Sequence, residues 1–128
     1  MEDKRLNQDF LSEFDQYNFS QIKEDKIFLV GSNTKAKDLF FKIESILQIN
    51  FRKLVSICSI DGLLNKDKFS ANEWEILQEI ALRKLKDQEA ILVLDKDGYI
   101  GDHTREEIQF FKNVIKKPIY YFSRLKKG

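Results

Sequence analysis

A run of four apolar residues, ILVL at 91–94, constrains the fold of this chain more than any other feature. A strand with one face in solvent alternates apolar and polar residues, whereas this run contains no polar residue. It therefore predicts a strand that is covered on both faces, as in parallel sheets with helices on each side.

The rest of the chain supplies the alternation of strands and helices that such a sheet needs. Apolar runs predict further strands in KIFLVGSN (26–33), LVSICS (54–59) and PIYYF (118–122). Apolar residues at helical spacing predict helices at 4–17, at 35–49, from Ser70 to Leu85, and at 104–116. Strands alternating with helices form βαβ units with right-handed crossovers. We therefore predict a flavodoxin-like (Rossmann-like) α/β three-layer sandwich with a mainly parallel sheet in the order 2-1-3-4.

The predicted helices differ in how well their ends are marked. Ser70 and Glu73 form an S-x-x-E capping box, and Asn33 or Thr34 is expected to cap the second helix. Residues 60–69 show no clear period and are predicted to be a loop. Several side chains are expected to point inward from the last two helices: Trp74, Ile76, Leu77, Ile80, Ala81 and Leu85, then Ile108, Phe111, Val114 and Ile115.

Length and patterning indicate one α/β domain at 26–128 with an N-terminal helical extension at 1–25. A length of 128 residues fits a single domain. An isolated 14-residue helix is marginal in water, so the extension is expected to cover apolar surface, in cis or across a dimer. A homo-oligomer, or a protein partner bound by this helix, stays open at this point.

Composition narrows the classes of partner. The chain carries 22 basic and 21 acidic residues, and this balance argues against a nucleic-acid polymer. Cys58 is the single cysteine, which excludes a disulfide framework or a cysteine-based zinc site. No run approaches a membrane span, and the charged N-terminus does not resemble a signal peptide. We expect a reduced cytoplasmic protein that holds no metal or cofactor and binds a small molecule.

The segment DKDGYIGDHTREEI, directly after the third predicted strand, is the best candidate for a site. Ligands of open parallel sheets bind outside the carboxyl ends of the strands, and we expect the pocket at the first and third of these. Gly98 and Gly101 allow positive φ or a close backbone approach. The helix that follows points free N–H groups at the loop, where an anion would be stabilised.

Thr104 and Glu107 allow two interpretations. Their T-x-x-E spacing is that of a capping box, in which Glu107 would only bond the backbone of Thr104, with Asp102 and His103 as competing caps. Alternatively, the carboxylate of Glu107 is held at the edge of the sheet for chemistry.

The same segment resembles the nucleoside 2-deoxyribosyltransferase-like superfamily, above all its small bacterial and phage branch with the signature GYIGxSTxxEIxYAxxxGKPxxYL. KIFLVGS and LQEIALRKL resemble other parts of that branch, and the likeness extends over about 26–123. The matching residues of the signature are Gly98, Tyr99, Ile100, Gly101, Thr104, Glu107, Ile108, Lys117, Pro118 and Tyr121.

The resemblance implies cleavage of the N-glycosidic bond of a nucleoside or nucleotide, by hydrolysis or transfer, with Glu107 as the nucleophile. The helix N-terminus would lower the pKa of Glu107 and keep it ionised. Asp95, Asp97 or Glu89 would contact the base or the sugar hydroxyls. The pocket would be lined by the remaining candidates: Gly31, Ser32, Gly98, Tyr99, Gly101, His103 and Thr104.

Three positions depart from the superfamily pattern. Phe28 stands where transferases carry a tyrosine that positions the nucleophile, Ala81 replaces a histidine of the branch, and His103 replaces its serine. Phe28 and Ala81 favour the alternative of a non-catalytic nucleotide-binding or regulatory module on the same fold.

Overall fold

The computed structural model describes residues 3–32 and 36–127, with a single parallel sheet at the centre. The strand order is β2-β1-β3-β4, and all three pairings are parallel. The predicted α/β class, parallel sheet and strand order are thereby confirmed. The four strands are β1 at Lys26–Gly31, β2 at Leu54–Ser56, β3 at Ala90–Leu94 and β4 at Ile119–Tyr121.

Helices cover both faces of the sheet and make three layers. The α-helices of the described residues are α1 at Gln8–Ser12, α2 at Lys37–Ser45, α3 at Ile60–Leu64, α4 at Ala71–Leu85 and α5 at Asp102–Phe110. One core cluster joins the N-terminal segment, α2 and Leu63 of α3 to one face of the sheet. A second cluster joins α4 and α5 to the other face.

The central strands contribute to both cores, as the unbroken apolar runs predict. Ile27 and Leu29 of β1 belong to the first cluster, whereas Phe28 and Val30 belong to the second. Every residue of β3 is buried. Successive side chains of a strand point to opposite faces, so such runs are stable only when both faces are covered.

The N-terminal segment packs on the sheet, but the predicted helix at 4–17 is wrong. Only α1 is helical, and the Asn7 side chain caps it by accepting the Phe10 N–H at 2.9 Å. The segment then turns, and the Phe14 ring lies 6.3 Å from that of Phe122. The Asn18 N–H donates to the Leu125 carbonyl at 2.7 Å. Contacts with the C-terminal residues therefore override the helical spacing of the apolar side chains.

Phe14 gives a direct test of this packing. Phe14→Leu keeps the site apolar but loses ring contacts in a buried position, so we expect the free energy of unfolding to fall by about 1 kcal/mol. Phe10→Leu, at a partly exposed position of the same segment, is the matched control and should cost less. Denaturant melts of both variants make the comparison. Equal and negligible losses would mean that the segment does not belong to the core.

Several local predictions are confirmed and others are corrected. The capping box of α4 is present, with Ser70 and Glu73 bonded to each other's backbone N–H. The predicted loop at 60–69 instead forms α3 and a 3₁₀ turn at Lys66–Lys68. Ile76 is 50% exposed because it lies five residues before the buried Ala81, about 140° around the helix.

The end of the last helix also differs from the prediction. Residues Phe111–Ile115 form a π-helical turn, which widens the helix and shifts its side chains out of the α-helical register. Val114, predicted to point inward, is therefore 59% exposed. Asn33 and Thr34, predicted as caps of α2, lie outside the described residues. Within the described part of the chain, no helix is long and apolar enough to cross a membrane.

Candidate functional site

A cavity of about 520 Å³ opens at the carboxyl edge of the sheet. Its walls come from the ends of β1 and β2, from α3 and α4, and from the loop and helix that follow β3. The cavity lies at the predicted edge and the segment after β3 lines it, but residues after β2 form a further wall that was not expected. The polar and aromatic residues of the lining are Ser32, Phe40, Cys58, Ser59, Lys66, Trp74, Glu75, Gln78, Tyr99, Asp102, His103, Thr104 and Glu107.

Gly31 ends β1 at the floor of this cavity, where two strands and a helix come close together. A Cβ at position 31 would lie 3.2 Å from both the Cβ and the carbonyl oxygen of Leu94, and 3.5 Å from the Phe40 ring. A larger residue would therefore press on β3 and α2. Glycine keeps the end of β1 close to its neighbours, so that Ser32 lines the cavity.

Glu107 lies in the second turn of α5 and faces the cavity. The helix is capped by Gly101, which has extended backbone angles and no side-chain cap, so Thr104 is the third helical residue. The interpretation of Thr104 and Glu107 as a capping box is therefore wrong, and Asp102 and His103 are helical residues rather than caps. Glu107 is left with a side chain that is only 6% exposed and has no capping role.

Glu107 is unusual because it is only 6% exposed, yet its carboxyl makes no hydrogen bond with the side chains and backbone groups that the structure describes. Its oxygens still reach the cavity, since Gln88 Oε1 is the fully enclosed atom without a partner among the described residues. Burial, with a smaller contribution from the neighbouring Glu106 carboxylate, raises its pKa from 4.5 to about 8. The predicted lowering of this pKa by the helix N-terminus is wrong. That effect fades within the first turn, and Glu107 lies beyond it.

Seven of the predicted site residues meet at this cavity. The group consists of Gly31, Ser32, Tyr99, Gly101, His103, Thr104 and Glu107. Thr104 is buried, whereas Tyr99 is 46% exposed at the rim. The backbone carbonyl of His103 accepts a hydrogen bond from the Gln78 amide at 3.3 Å, which ties the start of α5 to α4.

Glu89 lies at the opposite edge of the sheet, so its predicted contact with the base or sugar is not supported. It precedes β3, and five strand residues, roughly 16 Å, separate that end from the cavity edge. Its carboxylate accepts the N–H groups of Asp25 and Lys26, both at 2.9 Å. The bond from Lys26, followed by that from Asp25, lowers the pKa of Glu89. Glu89 thus anchors the start of β1.

Asp95, Asp97 and Gly98 also lie outside the cavity lining. The Asp95 carboxylate is buried and accepts the backbone N–H of Ser123 at 2.9 Å and its hydroxyl at 2.5 Å. Asp97 and Gly98 form the exposed turn after β3, with φ of 54° and 78°. The glycine at 98 serves this left-handed turn rather than a ligand.

Substitution of Asp95 separates a structural role from a ligand-binding one. Asp95→Asn retains an oxygen for the Ser123 N–H but loses the charge, so stability should fall by about 1 kcal/mol. Any ligand affinity of the cavity should stay the same. Thermal melts and ligand titrations of wild type and variant test this. If Asp95→Asn lost ligand affinity while its stability stayed unchanged, Asp95 would be a ligand-binding residue rather than a structural one.

The sequence did not predict thirteen of the twenty lining residues as site residues, among them Cys58, Lys66, Trp74 and Gln78. The capping box at Ser70 marks where α4 begins, but not that its first two turns face the edge of the sheet. Burial, and to a lesser extent the charge of Glu107, raise the pKa of the Cys58 thiol to about 11 against the opposing effect of Lys84. At neutral pH the thiol therefore stays mostly protonated, and the protonated form is a poor nucleophile.

The chain matches no protein-family model, no curated protein and no solved structure. Within the described residues, no cluster of three or more His, Cys, Asp or Glu side chains is placed to hold a metal ion. The local resemblance at 98–121 stays a prediction, and the function must be argued from the cavity.

Proposed function

We propose that this protein binds a nucleoside or nucleotide in the cavity and cleaves its N-glycosidic bond, with Glu107 as the nucleophile. The observation that carries the proposal is the buried Glu107 carboxyl, which faces the cavity without a hydrogen bond to any described residue. Burial disfavours the charged form of this carboxyl, so the stability of the fold does not account for a glutamate at this position. Such destabilised groups are concentrated at functional sites.

The size and position of the cavity support a small-molecule ligand. A volume of about 520 Å³ falls within the roughly 300–1,000 Å³ of such sites. The cavity also lies at the edge where open parallel sheets bind their ligands. The resemblance of residues 98–121 adds the reaction class and matches Glu107 to the nucleophile.

The chemistry follows from the position of the carboxyl. An ionised Glu107 oxygen attacks the anomeric carbon of the sugar, and the C–N bond breaks as its electron pair leaves with the base, which then takes a proton. Water or a second base attacks the glycosyl ester and frees the carboxylate. A pKa of about 8 leaves roughly one-tenth of Glu107 ionised at pH 7, so this ionised fraction limits the first step.

A non-catalytic nucleotide-binding module is the second candidate, and one observation favours it. Phe28 is fully buried and carries no hydroxyl to stabilise the Glu107 carboxylate. A neutral carboxyl would then serve only as a hydrogen-bonding group for the ligand.

A panel of common nucleosides and their 5′-monophosphates tests the two candidates. Chromatography would detect free-base release, and thermal shift would detect binding. Base release supports the glycosidase, and binding without release supports the module. If the protein neither binds a probe nor releases a base, both candidates are contradicted.

A further inference from the structure

Trp74 lies outside both hydrophobic cores, although it is the largest side chain on α4. Among the described residues, two core clusters cover the two faces of the sheet, and Trp74 belongs to neither. The sequence predicted that it points into the core with Ala81 and Leu85, which are fully buried. Instead its ring stays partly exposed and lines the cavity. Packing of the sheet therefore does not explain a tryptophan at this position.

Contacts from residues 62–69 hold the Trp74 ring in one orientation. Its indole Nε1–H donates to the Lys66 carbonyl at 3.3 Å, and the Phe69 ring lies 5.5 Å away at 54°. A Cβ at Gly62 would lie 3.1 Å from Cη2 of Trp74, so the backbone there abuts the edge of the ring. The Lys66 Nζ lies over the ring, 6.0 Å from its centroid. Because the N–H already has a partner, the part of the ring that lines the cavity is what Trp74 offers to a ligand.

The cavity thus combines a fixed aromatic surface with the carboxyl of Glu107, which has no hydrogen bond to a described residue. A ligand that satisfies both groups has a flat aromatic part beside a part rich in hydroxyl groups. We propose that Trp74 is the stacking platform for the planar heteroaromatic base of the ligand and is a specificity-determining residue. This inference rests on the proposed function and assigns the base-binding side of that site to α4.

Trp74 is the single tryptophan of the chain, so its fluorescence reports on this site alone. The experiment titrates the intact protein with adenosine, guanosine, cytidine, thymidine and their 5′-monophosphates. Ribose and ribose 5-phosphate serve as controls that lack a base. N-acetyltryptophanamide, titrated in parallel, corrects for light absorbed by the bases. We expect saturable quenching by at least one base-containing probe and none by the sugars.

Variants at position 74 test whether the aromatic ring itself carries affinity. Calorimetry would measure binding of the probe that quenches most strongly, because the variants lack the fluorophore. Trp74→Leu should weaken binding roughly 10- to 100-fold, whereas Trp74→Phe should stay within a few-fold of wild type. Ile76→Ala, on the same helix but outside the cavity lining, is the matched control and should bind as wild type. Melts of each variant distinguish lost affinity from lost folding.

The outcomes separate this inference from the proposed function. Binding or base release without a change in Trp74 emission overturns the platform and leaves the glycosidase standing. Quenching without base release supports the platform and contradicts the glycosidase. Equal affinity in Trp74→Leu and wild type overturns the platform, as does a panel in which no base-containing probe binds.

Discussion

Glu107→Gln is expected to abolish base release, by at least about 10⁴-fold, while ligand affinity stays within a few-fold of wild type. The amide has the shape of the carboxyl and can still hydrogen-bond the ligand, but it cannot attack the anomeric carbon. Assays of base release and ligand binding on the same substrate make the test. Glu106→Gln, an isosteric change on the exposed neighbour, is the matched control and should retain activity.

The pH dependence of base release by the wild-type protein gives a second test of the role of Glu107, because a nucleophile and a general acid predict opposite directions. A nucleophile must be ionised, so kcat/KM should rise with pH and level off above the Glu107 pKa of about 8. A Glu107 that acted as a general acid would give the opposite limb, with activity falling above this pH. Release at the wild-type rate from Glu107→Gln would exclude both roles. A wild-type protein that binds but never releases base would instead be the binding module.

The buried Glu107 carboxyl should also make folding stability depend on pH in a definite direction. Its pKa is raised in the folded state, from an ordinary 4.5 to about 8. Its contribution to stability is therefore fully present below about pH 4.5 and is lost as the pH rises through about 8. Between those values the unfolded chain releases a proton that the folded protein retains. By pH 7 the loss amounts to about 3 kcal/mol.

Glu107→Gln removes the titrating carboxyl, so the difference in stability between variant and wild type measures the pH-dependent contribution of Glu107. The melting temperature of the variant minus that of wild type should grow by several degrees between pH 5 and pH 8. The cost of burying an unpaired amide is the same at each pH and cancels in the comparison. Glu106→Gln, with an exposed side chain, should track wild type far more closely. Parallel curves for wild type and Glu107→Gln would mean that the carboxyl is not buried as described.

Predictions from local sequence were accurate where local forces decide the structure. The unbroken run at 91–94 indicated a strand covered on both faces, and β3 is buried throughout. Ser70 and Glu73 marked the start of α4 because a capping box needs only neighbouring residues. Glu89 was instead assigned to the site, although a residue just before a parallel strand lies at the amino edge of the sheet, away from the cavity.

Long-range packing decided the features that sequence patterns left open or predicted wrongly. Helical spacing at 4–17 gave way to contacts between Phe14 and the C-terminal Phe122. Spacing also could not show that Trp74 turns away from the core, because the segment that holds its ring was predicted as an irregular loop.

Glu107 shows most clearly which properties of a residue follow from local sequence and which follow from tertiary structure. The T-x-x-E spacing drew attention to this residue but left its role open between a helix cap and a nucleophile, and the resemblance at 98–121 supplied the second interpretation. Its burial depends on residues from several distant elements that close around α5, and desolvation by them reverses the predicted direction of its pKa shift. Local sequence therefore determines which carboxyl reaches the site. The packed structure determines its protonation state, because the cost of removing a charge from water is set by everything around it.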